Sequence, residues 1–384
     1  MQYLWLGLSF GAALFWVLNT IDFATGIPRL KRLEQVRPLE DADCPSVSIL
    51  FAARDEAEKL PGALETLLAL DYPRYEVVAV NDRSQDATQE ILEAAARKDA
   101  RLKVVKVTSL PEGWLGKPHA LQQGYEQSSG EWLVFTDADV HFAPDLLRRT
   151  MRLVKEQQWD HLTLLGHVEM HNLGEKIAMP FIAMAFLLGI RPWRVSDAKS
   201  QFYAGIGAFQ QVRRTSYEAM GTHRRLAMAV VDDMKLGWLM KNAGFRSGVA
   251  NSGGLVSLRW YEGVGNLVRG TTKNLFAASG FRLWASFAQV LFIMLLFLYP
   301  LFAVIFAEGW TRAFAAIALG LAVLTQAGVL HEFKLPPAYG LTSPIGAAIF
   351  IWMIVRSTVV TLWEGGVTWR GTFYPLEELR RGAA

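Results

Sequence analysis

The chain has a single cysteine, Cys44, in 384 residues. A lone thiol excludes an internal disulfide and any cysteine-rich metal site, and it leaves the redox compartment open. Charge is also scarce: Asp, Glu, Lys and Arg make up 20% of the chain against 52% hydrophobic residues, with 22 Phe and 13 Trp. That balance excludes a plain soluble protein and points to membrane segments joined to a water-soluble part. The net charge of +3 is too small to argue for a nucleic-acid partner, though it suits contact with an anionic inner leaflet. No Gly-x-Gly-x-x-Gly follows the first predicted strand, so a dinucleotide-dependent dehydrogenase loses its main support.

The apolar residues are concentrated at the two ends. Residues 3–21 are uncharged and long enough to span a bilayer, and Arg29, Lys31, Arg32 and Arg37 follow them. A secretory signal would carry its positive charge ahead of the apolar run and a small-residue cleavage site behind it, and neither is present. Residues 1–24 are therefore expected to be a retained transmembrane anchor with its N-terminus outside. Residues 284–364 hold about three further apolar spans, at 286–306, 313–330 and 345–362, before a tail at 365–384. Three spans after a cytoplasmic domain would send the tail outside, whereas Arg370, Arg380 and Arg381 favour the inside. A shorter apolar run at 178–190 sits inside a predicted helix near 177–191. It suits either an interfacial helix or a core helix of the soluble part.

Between these ends, residues 45–275 follow an α/β pattern. Strands are expected at 47–51, 75–80 and 102–107 and from Trp132, with helices at 60–70, 86–98 and 117–128 between them, giving a Rossmann-like half sheet. Ligands of such sheets bind at the strands' carboxyl ends, and this chain gathers polar residues there. The first strand runs into Arg54-Asp55-Glu56, the second ends at Asp82, and the fourth ends Thr136-Asp137-Ala138-Asp139-Val140-His141. Asp137 and Asp139 are hard oxygen donors suited to Mg²⁺ or Mn²⁺, with His141 able to add a nitrogen; local capping of the turn is the alternative. Asp86 reads as a cap of the following helix. Lys117, in the Gly-rich stretch 111–118, is placed to clamp a phosphate or simply to be a solvated surface lysine. Asp232-Asp233 follows Val230-Val231 in a segment with a helical pattern. If it faces the crevice, Asp233 is the candidate general base with Asp232 as its support; otherwise the pair is a solvated turn. Arg269 and Lys273 supply positive charge for a leaving diphosphate just before the first C-terminal span.

Taken together, these motifs resemble the membrane-anchored family-2 glycosyltransferases of GT-A fold, the group that includes ceramide glucosyltransferases and bacterial hopanoid and carotenoid glycosyltransferases. The likeness runs from Val47 to Tyr374. It is carried by Ala52-Ala53-Arg54-Asp55-Glu56, by Asn81-Asp82 through Asp86 and Thr88, by Gly113-Trp114-Leu115-Gly116-Lys117, and by Asp137-Ala138-Asp139. Gly205-Ile206-Gly207-Ala208-Phe209 with Arg213-Arg214 and Gly221-Thr222-His223 resembles the group's acceptor-side region. Asp232-Asp233 and the C-terminal Trp369-Arg370-Gly371 with Tyr374 complete the likeness. Two departures stand out. The group's Gln/Arg-x-x-Arg-Trp element is matched at best by Asn266-Leu267-Val268-Arg269-Gly270, without the tryptophan, and the Asn of its Ala-Arg-Asn-Glu element is Asp55 here.

The resemblance implies an inverting transfer of one sugar from a nucleotide sugar, most often UDP-linked, to a membrane lipid or isoprenoid acceptor at the inner membrane. By this likeness Arg54, Glu56, Asp82, Lys117, Asp137, Arg269 and Lys273 contact the donor, Asp137, Asp139 and His141 hold Mg²⁺ or Mn²⁺, and Asp233 takes the acceptor's proton. Membrane lipid, a nucleotide sugar and a lipid acceptor are the expected partners, with no obligate protein partner. A processive polysaccharide synthase is the enzymatic alternative, disfavoured by the missing aromatic gate and the expected four spans. A non-catalytic scaffold retaining the fold is the other alternative.

Overall fold

The structure is a computed structural model and describes residues 2–383. The chain folds into two compact units that do not follow its linear order. One comprises Leu30–Glu169, Pro192–Arg259 and Arg370–Ala384, and the other Met1–Arg29, Met170–Arg191 and Trp260–Trp369. The stretch expected to be one region, 45–275, is thus shared between them, and the tail belongs with the first.

The first unit is α/β. Its eight-stranded sheet has the order β1-β10-β7-β9-β5-β2-β3-β4. The strands are β1 (Lys31–Arg32), β2 (Val47–Ala53), β3 (Tyr75–Asp82), β4 (Leu102–Val107), β5 (Trp132–Asp137), β7 (His161–Leu165), β9 (Gln210–Arg213) and β10 (Ser247–Asn251). β6 (His141–Phe142), β8 (His167–Val168) and β11 (Val256–Leu258) form a small second sheet. The central strands read as apolar blocks because helices cover both faces: Val47, Ile49, Leu50 and Phe51 are all buried, as are Val77, Val78, Ala79 and Val80. Parallel β5, β2, β3 and β4 are joined through α2 (Leu60–Leu68), α3 (Thr88–Ala96) and α4 (Gly116–Glu126), as the sequence pattern predicts. α5 (Leu146–Gln157) follows β5 and β6. β9 runs antiparallel to both β5 and β7, a reversal that places Gly205 and Gly207 just ahead of it, beside the carboxyl end of β5. Two further helices, α7 (Arg214–Ala219) and α8 (Asp232–Asn242), complete the half of the unit beyond β9.

The second unit is helical. It contains α1 (Gln2–Gly26), α6 (Leu173–Ile190), α9 (Gly263–Gly270), α10 (Thr272–Ala278), α11 (Leu283–Ile293), α12 (Tyr299–Phe306), α13 (Gly309–Glu332) and α14 (Ser343–Glu364). Among the described residues, five of its helical segments are long and apolar enough to cross a membrane, one more than the sequence pattern indicates. The addition is the α6 segment, which starts earlier than its apolar run. Glu175 does not end the helix but closes a capping box with Asn172, and its carboxylate also accepts the Gly263 N–H at 2.6 Å.

Polar groups in this unit pin helices together. Pro300 has no N–H to offer the Leu296 carbonyl one turn earlier, and the helix slips into a π-turn over Met294–Leu298. The freed Leu296 carbonyl accepts the Trp16 indole N–H at 3.1 Å. Thr20 and Thr325 share a 2.9 Å hydrogen bond, and Arg191 pairs with Asp22 at 3.0 Å. Outside these contacts the surface is apolar and aromatic, with Trp284, Phe287, Phe306, Trp310 and Trp363 exposed, as suits side chains facing lipid. The chain is a multi-pass membrane protein.

Connectivity restricts how these helices cross. The chain leaves the α/β unit at Glu169 and re-enters it at Pro192, so a lone crossing by α6 would put parts of one compact unit on opposite sides of the bilayer. α6 therefore returns the chain to the side it left. The same reasoning keeps the tail on the side of the α/β unit, which agrees with its arginines and means that the three apolar segments between Arg259 and Arg370 cannot all cross.

Candidate active site

The parallel register sets the strand ends level. Ala52 pairs with Asp137 across β2 and β5, and Ala53 with Asn81 across β2 and β3, so Arg54–Glu56, Asp82 and Asp137 emerge at one edge. The loop after β2 is locked onto the loop after β3. Asp55 has left-handed backbone (φ 55°) and accepts the Gln85 N–H at 2.7 Å, while Ser84 accepts the Asp55 N–H at 3.1 Å. Asp86 accepts the Ala57 N–H at 2.9 Å and the Thr88 N–H at 3.0 Å, so it braces the loop ahead of α3, whose N-cap position is Ala87, and is not itself the expected helix cap. Asn tolerates the same backbone and offers the same acceptor oxygen, which explains why Asp at position 55 leaves this geometry intact.

Asp82 is buried, and both of its oxygens are taken by Arg83, at 2.7 Å and 3.1 Å. A Cβ on Gly116 would lie 2.5 Å from Asp82 Oδ2, so only glycine lets the start of α4 approach this pair. One residue on, Lys117 reaches Asp137 at 2.6 Å. Burial works against the Lys117 ammonium, but the negative charges of Asp137, Asp232 and Asp233 outweigh it and hold the group protonated well above its ordinary range.

Gly207 marks where the groups converge. A Cβ there would fall 2.9 Å from Asp137 Oδ2, 3.4 Å from Asp233 Oδ2 and 3.5 Å from Lys117 Nζ. Asp232 and Asp233 open α8, with Asp232 buried, and carboxylates are favoured at such a helix start. Asp233 accepts the N–H of Gly207 at 3.0 Å and that of Met234 at 2.8 Å. Burial raises the Asp233 pKa above the ordinary aspartate value, with Lys117 partly offsetting the shift. The pair faces the crevice and is not a solvated turn.

Asp139 lies 3.6 Å from Lys59, and its pKa is raised by burial and then by the charge of Asp137. Two carboxylates disfavouring each other's charge, both presenting hard oxygens, fit a divalent cation. His141 does not complete such a set. It opens β6, and its Cε1 leans on α2, 3.3 Å from where a Gly62 Cβ would sit. Among the described residues no group of three His, Cys, Asp or Glu side chains is assembled for a metal. His119 is buried with its ring edge-on to Trp114, consistent with a packing role. His223, in the stretch likened to an acceptor-side region, is buried and bonded to Tyr217 at 2.6 Å; burial and the charge of Lys117 lower its pKa to about 3.

Arg269 and Lys273 lie in the helical unit, where Arg269 donates to Asn266 at 2.7 Å and Lys273 sits 4.0 Å from the centre of the Trp369 ring. Within the α/β unit, residues that the strand-end reading passed over join the site. Arg370 pairs with Glu56, Arg54 donates to Thr372 at 3.3 Å, and the Tyr374 hydroxyl accepts the Gly116 N–H at 3.2 Å. Their one signal in the sequence was the Trp-Arg-Gly…Tyr element, with no position in space attached.

Residues 48–179 match the Glycosyl transferase family 2 model. Over those residues the chain is similar to family-2 glycosyltransferases, and its α/β unit has a GT-A-like fold. Among curated proteins, this GT-A chain is 27% identical over 287 residues to a 4,4'-diaponeurosporenoate glycosyltransferase of Staphylococcus haemolyticus, covering 73% of this chain and 71% of that one. It is 32% identical over 149 residues to a beta-monoglucosyldiacylglycerol synthase of Synechocystis sp., which is 37% of this chain and 31% of the relative's length. Of solved structures, the mannosyltransferase PcManGT of Pyrobaculum calidifontis, in complex with GDP-Man and Mn²⁺, superposes with a TM-score of 0.55 at 19% identity, over 93% of this chain and 96% of that one. At that identity the likeness concerns the fold alone.

Proposed function

We propose that the protein is an inverting glycosyltransferase that moves one sugar from a nucleotide sugar to a membrane lipid or isoprenoid acceptor, on the cytoplasmic side of the membrane. The carrying observation is the meeting of Asp233, Asp137 and Lys117 at Gly207. A group able to take a proton there adjoins a cation and a carboxylate suited to a diphosphate. The names of the relatives, which concern diacylglycerol and carotenoid-type acceptors, support a lipid acceptor, and the exposed aromatic helices supply the setting.

In this reading Arg54, Asp82, Lys117 and Asp137 hold the donor, with Asp82 acting through Arg83. Asp233 accepts the proton of the acceptor hydroxyl as its oxygen attacks the anomeric carbon. The new C–O bond forms while the bond to the diphosphate breaks, and the electron pair leaves with the diphosphate. No bond to the enzyme is made, so the anomeric configuration inverts. Asp137 and Asp139 would hold Mg²⁺ or Mn²⁺, which supplies charge neutralisation on the diphosphate. Lys117 adds a fixed positive charge that needs no reorganisation during the reaction.

The test is to incubate membranes containing the protein with a panel of labelled nucleotide sugars and analyse the extracted lipids by mass. A lipid gaining a single hexose mass, absent from membranes lacking the protein, is the expected result. Label in a polymer would replace this reading with the processive one, and no protein-dependent label in any fraction would overturn both.

A further inference from the structure

The C-terminal segment is distant in sequence, yet it lies against the loop after β2. Arg370 and Gly371 both have left-handed backbone, with φ of 50° and 75°. A non-glycine residue in that conformation is costly and is retained where its surroundings fix it. Here they do so on both sides. Ahead of the turn, the Arg370 guanidinium meets the Glu56 carboxylate; beyond it, Thr372 receives Arg54, and the buried Tyr374 takes the Gly116 N–H.

The charges around this segment are not balanced for a purely structural contact. Arg370 pairs with Glu56 and Lys59 with Asp139, while Arg54 adds a third positive charge against Thr372 and Gly371. Arg54 has its Nε buried with no hydrogen-bond partner among the described residues, and its Nη2 lies 3.9 Å from where a Gly371 Cβ would be. An orphaned, buried guanidinium N–H packed against the turn that carries a second arginine calls for an anion with several oxygens. Arg370 is also half exposed whereas Glu56 is largely covered, so Arg370 can turn away from Glu56 toward an incoming ligand. Burial raises the Glu56 pKa, and the charge of Arg370 offsets it.

We propose that Arg370 is a diphosphate-binding residue of the donor site, parked on Glu56 in the absence of nucleotide, and that with Arg54 it grips the β-phosphate. It occupies within the α/β unit the role that the sequence pattern gives to Arg269. The inference rests on the donor reading above and extends it to the C-terminal segment.

The test uses the full-length protein in detergent with Mn²⁺, titrated with UDP and GDP and, separately, with UMP and GMP. Arg370→Gln is expected to weaken the preferred diphosphate about ten- to a hundredfold, the loss of a charge-assisted contact, and to leave the monophosphate unchanged. Arg370→Lys should recover part of the loss. The double variant Glu56→Gln/Arg370→Gln removes the unpaired buried carboxylate that the single change creates. It should bind the diphosphate as weakly as the single variant; recovery of wild-type affinity would reduce the pair to a structural contact and overturn the proposal. Undiminished diphosphate binding by Arg370→Gln would also overturn it and leave the donor reading standing. A wild-type protein that binds none of the four nucleotides would overturn the donor reading and this inference with it.

Discussion

The two units use polar residues in opposite ways. In the helical unit, the polar groups that bridge segments are spent on other parts of the same unit: Trp16 on the carbonyl that Pro300 frees, Thr20 on Thr325, and Asp22 on Arg191. In the α/β unit, the sheet delivers carboxylates and cations to one edge, where they crowd and repel. Asp139 and Asp233 there have raised pKa values, and the Arg54 Nε finds no hydrogen-bond partner among the described residues. Groups that satisfy one another stabilise a structure, whereas groups left under mutual stress await a ligand or a proton. Damage to the first kind should therefore appear in stability, and damage to the second in chemistry.

The sharpest way to separate them is Asp233→Asn. Its amide can still accept the Gly207 N–H but cannot take a proton, so transfer should fall about 10²–10⁴-fold, with binding of UDP or GDP retained in titration. Full transfer activity in this variant would remove the assigned base. A smaller effect is expected from Lys117→Met, read in the pH profile. Asp233 works only when deprotonated, so kcat/KM falls as the pH drops through its pKa, which burial already places above the ordinary aspartate range. Lys117 lowers that pKa, and its removal should move the acid limb to still higher pH, whatever happens to the overall rate. A limb that stays put would uncouple the two residues. The smallest effect belongs to the helical unit. Trp16→Phe keeps an aromatic ring but leaves the Leu296 carbonyl unpaired, and should cost about 1 kcal/mol in a thermal melt in detergent while transfer is unchanged. If Trp16→Phe impaired transfer as Asp233→Asn does, the contrast between the units would fail.

Much of this contrast was legible in the sequence. The α/β crossovers and the acids at strand ends follow from short apolar blocks, each closed by a polar residue, and the helical pattern around Asp232-Asp233 was visible, although their place at the helix start was not. β9 and β10 were not legible. β9 carries Gln210 and Gln211, both buried and hence polar where the pattern calls for apolar residues, and β10 is Ser-Gly-Val-Ala-Asn, with little preference for strand. The extent of α6 was hidden because Glu175 looks like the end of an apolar run and in fact lies inside the helix, closing the capping box with the N-cap Asn172. Arg370 and Glu56 are 314 residues apart, a separation at which no local periodicity links them. Arg269 and Lys273, also read as donor contacts, fall in the helical unit, which is assembled from segments interleaved with those of the α/β unit.

The central claim, a direct displacement assisted by Asp233, is tested most directly by the anomeric configuration of the product. With a donor sugar found active in the lipid assay, nuclear magnetic resonance of the isolated glycolipid should show the anomer opposite to that of the donor. The same anomer as the donor would mean two displacements or a front-side attack, and would contradict the account.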